Sequence, residues 1–425
     1  MLRVCISTYG CTLNHADSDI MRALLSKRHQ VVEQEEGCDV LVLNTCTVKG
    51  PTENKIFERI KRLVENKRKF VVAGCLVVSK KKIRECAPLA PVVGPYSLQS
   101  VVSAVEDAAN GISSCYESPG CKDRLPRHFT PPIMRVPIND GCVSSCFYCQ
   151  TRFARPYLKS HSPKGIVRCI NDGVSRGARE IQLTSMDAGA YGLDLKTNLV
   201  ELLDAISRDD SHTRPSEKYL VRLGMTNPNH ARTMLPDLLR ILKENPFYRF
   251  LHVPVQTGSE KVCREMNRDH TVKDFREIVS AVRKEIPEAT IATDVIVGYP
   301  TETEDDFRET LNLLETTRPD ITNVSKFSPR PGTRAKELRQ LDSKMVKERS
   351  RKASALVRSI SKERKKACIG KEYEVLVTES SPDFKGRNIN YHQVVLKDFK
   401  GKTGEFADAR IVDANHGSLF AEIMR

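Results

Sequence analysis

The sequence of 425 residues predicts an α/β protein in three parts: an N-terminal parallel-sheet domain, a central partial barrel of six β/α units, and a small C-terminal all-β barrel. Three observations lead to this prediction. Short apolar runs alternate with helical patterns over the first hundred residues, and six further strand–helix units follow over roughly 200 residues. Period-two strands separated by Gly and Asn turns then occupy residues 372–425.

The N-terminal domain is predicted to cover residues 1–112. Its predicted strands are Arg3–Thr8, Asp39–Asn44 and Phe70–Ala73, and its clearest helix is Thr52–Lys67. A cysteine follows each strand, namely Cys11, Cys46 and Cys75. A lone cysteine at a strand end is usually a small buried hydrophobe. Because the carboxyl ends of parallel strands line one crevice, three at equivalent positions favour a shared site.

A segment rich in Pro, Gly, Ser and charge at residues 113–132 predicts a linker, and the barrel domain is placed at residues 133–342. The predicted strands are Ile133–Ile138, Glu180–Thr184, Tyr219–Gly224, Phe250–Val255, Thr290–Val297 and Asn323–Phe327. The predicted helices are Pro163–Arg176, Asn198–Ser207, Pro236–Lys243, Val272–Glu285 and Thr303–Glu315. Six units are too few to close an eight-unit barrel, and functional side chains are expected at the C-terminal strand ends.

Residues 343–371 carry eleven Lys and Arg against two acidic residues, with apolar residues at helical spacing. We predict a basic amphipathic helix packed on one side, although a merely solvated face is an alternative. It leads into residues 372–425, where about five short strands predict a small barrel similar in type to oligonucleotide-binding barrels. A basic helix before such a barrel indicates RNA binding.

Overall charge and cysteine content fit this organisation. The 68 Lys and Arg against 54 Asp and Glu give a net charge of +14, which favours a polyanionic partner. The chain has fourteen cysteines, yet it opens directly on a strand-like segment, without a signal peptide or a transmembrane run. A reducing cytoplasm is therefore expected, where clustered cysteines more often serve metal binding or catalysis than disulfides.

The most specific motif is Asp140-Gly-Cys142-Val-Ser-Ser-Cys146-Phe-Tyr-Cys149, directly after the first barrel strand. Three thiolates within eight residues can ligate three corners of a cubane iron–sulfur cluster and leave the fourth iron open to a chelating molecule. Structural zinc is the alternative, but it normally takes four ligands, and His128 and His161 are not at zinc-ligand spacing.

The sequence resembles the radical S-adenosylmethionine enzymes and, more narrowly, the tRNA methylthiotransferases. The resemblance covers essentially the whole chain, as a methylthiotransferase domain, a radical SAM domain and a TRAM domain. Besides the Cys142 motif it rests on Thr8-Tyr-Gly-Cys11-Thr-Leu-Asn14, Asn44-Thr-Cys46-Thr-Val, Ala73-Gly-Cys75-Leu, Asp187-Ala-Gly-Ala-Tyr-Gly192, His252-Val-Pro-Val-Gln-Thr-Gly-Ser259, Met266-Asn-Arg268 and Thr293-Asp-Val-Ile-Val-Gly-Tyr-Pro300.

The resemblance implies two [4Fe–4S] clusters with different tasks. Cys142, Cys146 and Cys149 would hold the cluster that binds S-adenosylmethionine and cleaves it reductively, while Cys11, Cys46 and Cys75 would hold an auxiliary cluster that carries the sulfur to be transferred. The product would be a methylthio group on an aromatic carbon. The protein's own task would be to align cofactor, C–H bond and sulfur in a site closed to water.

Further S-adenosylmethionine contacts follow from position in the barrel. The predicted cofactor-binding residues are Phe147, Tyr148, Thr184, Ser185, Asp187, Arg222, Gln256 and Val297. Asp187, counted among the catalytic residues with the Cys142 triad, would pair with the cofactor's ammonium, and its alternative role is a turn cap.

Two features depart from the family pattern. Arg155-Pro156 stands where Arg-Gly is usual, which restricts the loop after the cluster motif. Cys115 and Cys121 in the linker have no assigned role. The other spare cysteines are expected to be structural: Cys5, Cys38, Cys86, Cys169, Cys263 and Cys368.

Three substrates compete within the family: threonylcarbamoyladenosine in tRNA, isopentenyladenosine in tRNA, and an aspartate of a ribosomal protein. The compact N-terminus, the Asp187 motif and the basic linker and barrel favour the archaeal and eukaryotic threonylcarbamoyladenosine branch, with t6A37 converted to its 2-methylthio form. Because no membrane anchor follows Arg425, unlike in the animal members, a soluble archaeal-type enzyme is expected. A monomer and a separate electron-donor protein are further expectations. A radical enzyme using its second cluster only for electron transfer, and an RNA-binding protein with structural clusters, are the alternatives.

Overall fold

The computed structural model describes residues 1–48, 50–118, 120, 122–209, 218–244 and 246–424. It confirms the predicted fold class, because a parallel N-terminal sheet, a partial parallel barrel and a closed five-stranded barrel follow one another along the chain. In the described ranges, no helix is long and apolar enough to cross a membrane.

The N-terminal domain is a six-stranded, all-parallel sheet. Its strands are β1 (Arg3–Thr8), β2 (Gln30–Val32), β3 (Val40–Thr45), β4 (Phe70–Gly74), β5 (Val92–Val93) and β6 (Cys115–Tyr116). Its helices are α1 (Thr12–Leu25), α2 (Gly50–Glu65), α3 (Lys80–Cys86) and α4 (Val101–Asn110). The spatial order is β2-β1-β3-β4-β5-β6. Strands β3 and β4 are buried along their whole length because hydrophobic clusters cover both faces of the sheet.

The three strands predicted in this domain are present, and three shorter ones join them. β6 lies within the segment predicted as a linker, where it pairs with β5 and extends the sheet by one edge strand. The sequence did not predict β6 because two residues are too few to show an alternating pattern. Cys115 lies on this edge strand and is exposed, and Cys121 lies outside the described residues.

The central domain is the partial barrel. Its strands are β7 (Ile133–Pro137), β10 (Glu180–Thr184), β11 (Leu220–Arg222), β12 (Phe250–His252), β13 (Thr290–Val297) and β14 (Ile321–Lys326), and the short hairpin β8 (Asn139–Asp140) with β9 (Lys159–Ser160) frames the Cys142 loop. Two parallel three-stranded sheets, β7-β10-β11 and β12-β13-β14, meet through the Val221–Phe247 bridge. All six predicted strands form the barrel.

Helices surround this barrel on the outside. They are α5 (Thr151–Ala154), α6 (Pro163–Ser175), α7 (Leu199–Ser207), α8 (Pro228–Thr233), α9 (Leu235–Ile241), α10 (Glu260–Glu265), α11 (Val272–Glu285), α12 (Glu304–Thr317) and α13 (Arg334–Glu337). The starts of α11 and α12 are fixed by capping boxes at Thr271 and Thr303. One large hydrophobic cluster joins the helices to the outer faces of the strands.

The predicted basic helix is α14 (Ser343–Lys366), which ends five residues before the predicted boundary. It leads into β15 (Glu372–Glu379), β16 (Phe384–Asn388), β17 (Gln393–Lys397), β18 (Phe406–Ala414) and β19 (Leu419–Ile423). These strands close a barrel in the order β15-β16-β17-β19-β18.

The C-terminal barrel docks against the N-terminal ends of the central strands. Tyr391, in the β16–β17 turn, packs on Tyr248 and Phe250 with ring centroids 4.8 Å apart in both pairs. Its hydroxyl donates to Glu180 Oε1 at 3.3 Å. The opposite end of the central barrel, where the strands finish, stays available for the cysteine loops.

Candidate metal centres and cofactor crevice

The first cysteine triad lies at the carboxyl ends of three adjacent strands. Cys11 is the N-cap of α1, Cys46 follows β3, and Cys75 follows β4. Because β1, β3 and β4 are neighbours in the sheet, the strand-end placement predicted from the sequence brings the three loops together. Cys46 and Cys75 are buried, and Cys11 is exposed.

Asn14 organises this triad. Its Oδ1 accepts from the Cys11 thiol at 3.4 Å and lies 3.9 Å from the Cys75 Sγ, while its Nδ2 donates to the Thr45 carbonyl at 2.7 Å. Gly10 has a φ of +129°, and a Cβ there would come within 3.1 Å of the Cys46 Sγ. Glycine before Cys11 therefore has a local steric reason, because only glycine lets the Cys11 loop approach Cys46 this closely.

Burial keeps the thiols of Cys46 and Cys75 protonated in the absence of a metal. Burial is the main cause that raises the pKa of Cys46 to about 11; a Val48 N–H 3.4 Å from the sulfur acts to lower it, and the neighbouring thiols Cys75 and Cys11 act to raise it. Burial also raises the pKa of Cys75, which the Arg155 guanidinium opposes. Occupation by a metal would have to displace these protons, so loading of the site depends on pH.

The second triad lies in the loop between β8 and α5. The Ser144 N–H donates to the Cys142 Sγ at 3.4 Å, and the Arg268 guanidinium donates to the Cys146 Sγ at 3.2 Å. Burial, followed by the Asp187 carboxylate, raises the pKa of Cys142 to about 11. Burial raises the pKa of Cys149 as well, and the backbone N–H groups of Arg152 and Thr151 counter it.

Both triads fit iron–sulfur clusters by their donor chemistry. Each offers three soft thiols on short loops, with N–H or guanidinium donors aimed at the sulfurs, as cluster thiolates require. Among the residues that the structure describes, no three His, Cys, Asp or Glu side chains converge closely enough to hold a single metal ion.

Unpaired polar atoms lie near the Cys142 loop, at the carboxyl ends of β7, β10 and β11, where the strand ends of a parallel sheet form a crevice. In the described part of the chain, four buried side-chain atoms there have no hydrogen-bond partner: Asn139 Oδ1, Ser185 Oγ, Thr226 Oγ1 and Asn229 Oδ1. Buried polar atoms without partners are costly, and their grouping on neighbouring strand-end loops indicates a polar ligand. Of these four residues, only Ser185 was singled out from the sequence.

Asp187 is fully buried and already hydrogen-bonded. Its Oδ1 accepts from the backbone N–H groups of Gly189 and Asn227, both at 3.1 Å, and its Oδ2 accepts from Asn227 Nδ2 at 2.6 Å. Asp187 therefore forms the turn cap that was the alternative role in the sequence analysis. Contact with a cofactor ammonium stays a prediction, and Asn227 is a partner that the sequence did not indicate.

Backbone hydrogen bonds within the protein already use groups of the Cys142 loop that were predicted to contact the cofactor. The Phe147 N–H donates to the Met266 carbonyl at 3.0 Å, and the Phe147 carbonyl accepts from Ala335 at 3.1 Å. The Tyr148 hydroxyl accepts from Arg268 at 3.3 Å. Thr184 is buried as the last residue of β10, and its carbonyl accepts from Ile138 at 3.0 Å. These residues border the crevice with much of their hydrogen-bonding capacity already used.

The three remaining predicted contacts point in different directions. Arg222 lies over the rings of Phe250 and Tyr391, at 5.2 and 5.5 Å, and so extends toward the floor of the barrel. Gln256 follows β12 in a left-handed conformation with φ +70°, which is uncommon outside functional sites. The Val297 side chain packs with Phe307 in a hydrophobic cluster beneath α14.

A buried charge network joins the N-terminal domain to the Cys142 loop. Lys122 Nζ lies 2.7 Å from Asp17 Oδ1 and 2.8 Å from Asp140 Oδ1, and Arg155 pairs with the same two carboxylates. Although burial acts to raise it, Lys122 and Arg155 hold the pKa of Asp140 down at about 2. Arg155 also lies close enough to Cys75 to lower that thiol's pKa. This is the Arg-Pro sequence that departs from the family pattern.

The basic helix carries its free charge on one face. Arg349 pairs with Glu302 at 2.7 Å and Arg364 with Asp320 at 2.8 Å, so part of its charge is used inside the protein. The exposed stripe consists of Lys344, Lys347, Arg351, Arg358, Lys362 and Lys366. The C-terminal barrel has nine acidic and seven basic residues, so the expectation of a basic barrel was wrong. Positive charge is concentrated on α14 instead.

Comparison with known protein families gives three matches along the chain. The Radical SAM superfamily matches residues 136–314, the uncharacterized protein family UPF0004 matches residues 3–94, and the TRAM domain matches residues 366–424. Each match falls on one of the three folded parts.

Curated relatives match over nearly the full chain. A probable threonylcarbamoyladenosine tRNA methylthiotransferase of Archaeoglobus fulgidus is 40% identical, with 99% of both chains covered. The corresponding protein of Pyrococcus horikoshii is 39% identical, with complete coverage of both. The threonylcarbamoyladenosine tRNA methylthiotransferase of Drosophila melanogaster is 35% identical over 99% of this chain and 78% of its own length.

Solved structures share the fold at low identity. The radical S-adenosylmethionine methyltransferase TsrM from Kitasatospora setae aligns with a TM-score of 0.57 and 11% identity, covering 79% of this chain and 74% of its own. The cobalamin-dependent radical enzyme OxsB aligns with a TM-score of 0.54 and 12% identity, over 86% of this chain and 56% of its own. These likenesses concern the fold alone.

Proposed function

This chain belongs to the threonylcarbamoyladenosine tRNA methylthiotransferases, and from that premise we propose how its own residues carry out the reaction. It is a radical SAM enzyme that methylthiolates threonylcarbamoyladenosine in tRNA. The finer proposal is that C2 of the base at position 37 exchanges its hydrogen for a methylthio group. One observation carries it: the two cysteine triads, on different domains, occupy loops in direct contact.

Each triad is proposed to hold one [4Fe–4S] cluster, with Cys142, Cys146 and Cys149 for one and Cys11, Cys46 and Cys75 for the other. When bound, these clusters with S-adenosylmethionine supply one-electron hydrogen abstraction at the first site and a transferable sulfur at the second. The protein's contribution is to hold the sulfurs. Arg268 stabilises negative charge at Cys146, and Arg155 does the same at Cys75.

The crevice beside the Cys142 loop is proposed to bind S-adenosylmethionine. Ser185 and Thr226 offer hydroxyl groups that lack partners within the described chain, which suits a ligand with amino, carboxylate and ribose groups. Asp187, through Asn227 and Gly189, fixes the loop that presents them. Because the walls around it are buried, the same crevice excludes water from the reacting atoms.

The tRNA is proposed to lie along α14 as well as the C-terminal barrel. The six-cation stripe on α14 faces solvent at spacings of three, four and seven residues, which keeps it on one side of the helix. Lys397, Lys400 and Lys402 add charge beside Phe399 in the β17–β18 loop. A phosphate backbone is the polyanion that such a stripe fits.

The proposed cluster chemistry also bears on the electron source and on the compartment in which the enzyme works. We propose that an electron-donor protein delivers the electrons, that the enzyme acts as a monomer, and that it works in the cytoplasm. All thirteen cysteines in the described ranges are free thiols, which suits a reducing compartment.

Substrate choice is the direct test of the proposed function. The chain, reconstituted anaerobically with iron and sulfide, would be incubated with S-adenosylmethionine, a reductant and tRNA carrying either threonylcarbamoyladenosine or isopentenyladenosine. We expect a methylthio nucleoside by mass spectrometry from the first tRNA and several-fold less from the second. Methylthiolation of isopentenyladenosine alone, or 5′-deoxyadenosine release without any methylthio nucleoside from either tRNA, would overturn it.

A further inference from the structure

A buried hydrogen bond directly links the two cysteine triads. Thr47 immediately follows Cys46, and Gln150 immediately follows Cys149. The Thr47 hydroxyl donates to Gln150 Oε1 at 2.7 Å, and both side chains are buried. Residues adjacent to one ligand of each triad therefore touch across the boundary between the N-terminal domain and the barrel.

Two charged residues complete this contact. Arg330, beyond the end of β14, donates to Gln150 Oε1 at 2.5 Å and to the Thr47 carbonyl at 2.9 Å. It also forms an ion pair with Glu53 of α2, whose Oε2 lies 3.0 Å from the Thr47 hydroxyl oxygen as its second acceptor. We call Thr47, Glu53, Gln150 and Arg330 the Gln150 bridge. All four are buried, with exposed fractions between 0% and 6%.

Stability alone does not account for the Gln150 bridge. Removing a guanidinium and a carboxylate from water costs several kcal/mol, and well-packed apolar residues often stabilise an interface as well or better. What a polar contact adds is direction, because hydrogen bonds fix distances and angles that apolar packing leaves loose. The bridge spans three parts of the fold, namely the Cys46 loop, the Cys149 loop and the end of the last barrel strand.

We propose that the Gln150 bridge sets the separation and orientation of the two clusters, with Gln150 and Arg330 as positioning residues; this rests on the proposed function, which requires both clusters. Sulfur held at one triad must meet a carbon activated at the other. A displacement of about 1 Å is enough to cost on the order of 100-fold in such a reaction. The Thr47–Gln150 contact joins the neighbours of Cys46 and Cys149 through a single hydrogen bond.

The decisive variants change the acceptor without changing the size of the side chain. Gln150→Leu removes the oxygen that both Thr47 and Arg330 use, while Gln150→Glu keeps an acceptor oxygen there. Thr47→Val removes only the hydroxyl and is the milder second variant should Gln150→Leu fold poorly. Arg349→Met is the matched control for the cluster–cluster coupling, because it breaks a buried ion pair of similar exposure between α14 and Glu302, outside the cysteine loops.

The holoenzyme of each variant would be measured three ways: iron per chain, the magnetic coupling between the two reduced clusters by electron paramagnetic resonance, and 5′-deoxyadenosine released per methylthio nucleoside. We expect Gln150→Leu to keep about eight iron atoms, four per cluster. Its cluster–cluster coupling changes and its deoxyadenosine-to-product ratio rises several-fold. Thr47→Val should shift the coupling and the ratio in the same direction by a smaller amount, and Gln150→Glu should restore both. Arg349→Met should leave the coupling unchanged.

The outcomes separate this inference from the function on which it rests. Unchanged coupling and ratio in iron-replete Gln150→Leu and Thr47→Val would overturn the positioning role alone. Loss of about four iron atoms in both variants would also overturn it, since the bridge would then retain a cluster rather than space it. A wild-type chain that holds only about four iron atoms would overturn the proposed function and this inference together.

Discussion

The central barrel is contacted at its two ends by surfaces of opposite character. At the carboxyl ends of its strands it meets the N-terminal domain through buried charge: Lys122 and Arg155 against Asp17 and Asp140, and the Gln150 bridge. At the other end it meets the C-terminal barrel through a buried apolar cluster with Tyr391 on Tyr248 and Phe250, and the ion pairs there, Lys218–Glu374 and Lys371–Glu288, are exposed.

The difference follows the demands on each interface. The free energy of an apolar contact is roughly proportional to the buried area and changes little when the surfaces shift slightly. Such a contact is enough to attach the C-terminal barrel. Paired charges and hydrogen bonds are directional, and removing one member leaves another buried and uncompensated. The polar surface is therefore the one that lies between the two cysteine triads, which are proposed to hold the reacting centres.

The largest effect is expected at the charged interface. Arg155→Met leaves Asp17 and Asp140 sharing only Lys122, which should lower the free energy of unfolding by about 3–5 kcal/mol. Urea denaturation checks this. Arg176→Met, which breaks an exposed pair with Asp172, is the control and should cost under about 0.5 kcal/mol. Equal losses in the two variants would show that burial of the network does not matter.

The aromatic interface should respond next. Tyr391→Ala removes the ring between Tyr248 and Phe250, with an expected loss of about 3 kcal/mol. Tyr391→Phe keeps the ring and loses only the bond to Glu180, at a cost of about 1 kcal/mol. Because the cysteine loops lie at the other end, iron content should stay unchanged in both variants; iron loss in Tyr391→Phe would contradict this separation.

Acid should weaken the same aromatic end. Burial, with Lys365, Arg364 and Arg387 nearby and only Asp320 opposing, lowers the pKa of His392 to about 4 from an ordinary value of 6.5. Between those values the unfolded chain binds a proton that the folded chain does not. Stability is thus full above pH 6.5 and falls by up to about 3 kcal/mol as the pH drops toward 4.

Denaturation curves at several pH values check this effect. His392→Gln keeps a hydrogen-bonding side chain near Thr290, where the His ring lies at 3.4 Å, but removes the titration. Its unfolding free energy should fall less steeply over the same pH range. Parallel profiles for wild type and His392→Gln would assign the acid sensitivity to other groups.

The smallest effect on stability is expected on the RNA-facing surface. Lys347→Gln with Arg351→Gln should change the free energy of unfolding by less than about 0.5 kcal/mol. The same pair should weaken tRNA binding and lower the slope of log affinity against log salt by about one per lost phosphate contact. Lys164→Gln with Arg168→Gln, exposed on α6, is the matched control. If both pairs reduce the slope equally, α14 is not the specific contact.

The sequence predicted much of the fold because its signals are local. The long strands, the barrel units and the basic helix each have their own periodicity, and the triads show as cysteines after strands. The short strands it missed, β2, β5, β6, β8 and β9, have two or three residues each. β16 was also missed, and it contains the small residue Gly386, which weakens an apolar pattern.

The sequence did not predict contacts between residues that are far apart along the chain. Gln150 and Thr47 stand beside ligand cysteines, which was a signal, but nothing local relates them to Arg330, 180 residues farther along the chain from Gln150. Asp187 is a residue that the sequence singled out without deciding its role. A carboxylate after a strand can bind a ligand or cap a turn, and only the structure shows Asn227 hydrogen-bonded to it.

The most direct test of two clusters with different tasks is Cys46→Ala in the anaerobically reconstituted chain, given S-adenosylmethionine, reductant and tRNA carrying threonylcarbamoyladenosine. Iron and nucleoside products would be measured in the same sample. Wild type should hold about eight iron atoms and form the methylthio nucleoside, whereas Cys46→Ala should hold about four and release 5′-deoxyadenosine without that product. Methylthiolation at the wild-type level by Cys46→Ala would contradict the account.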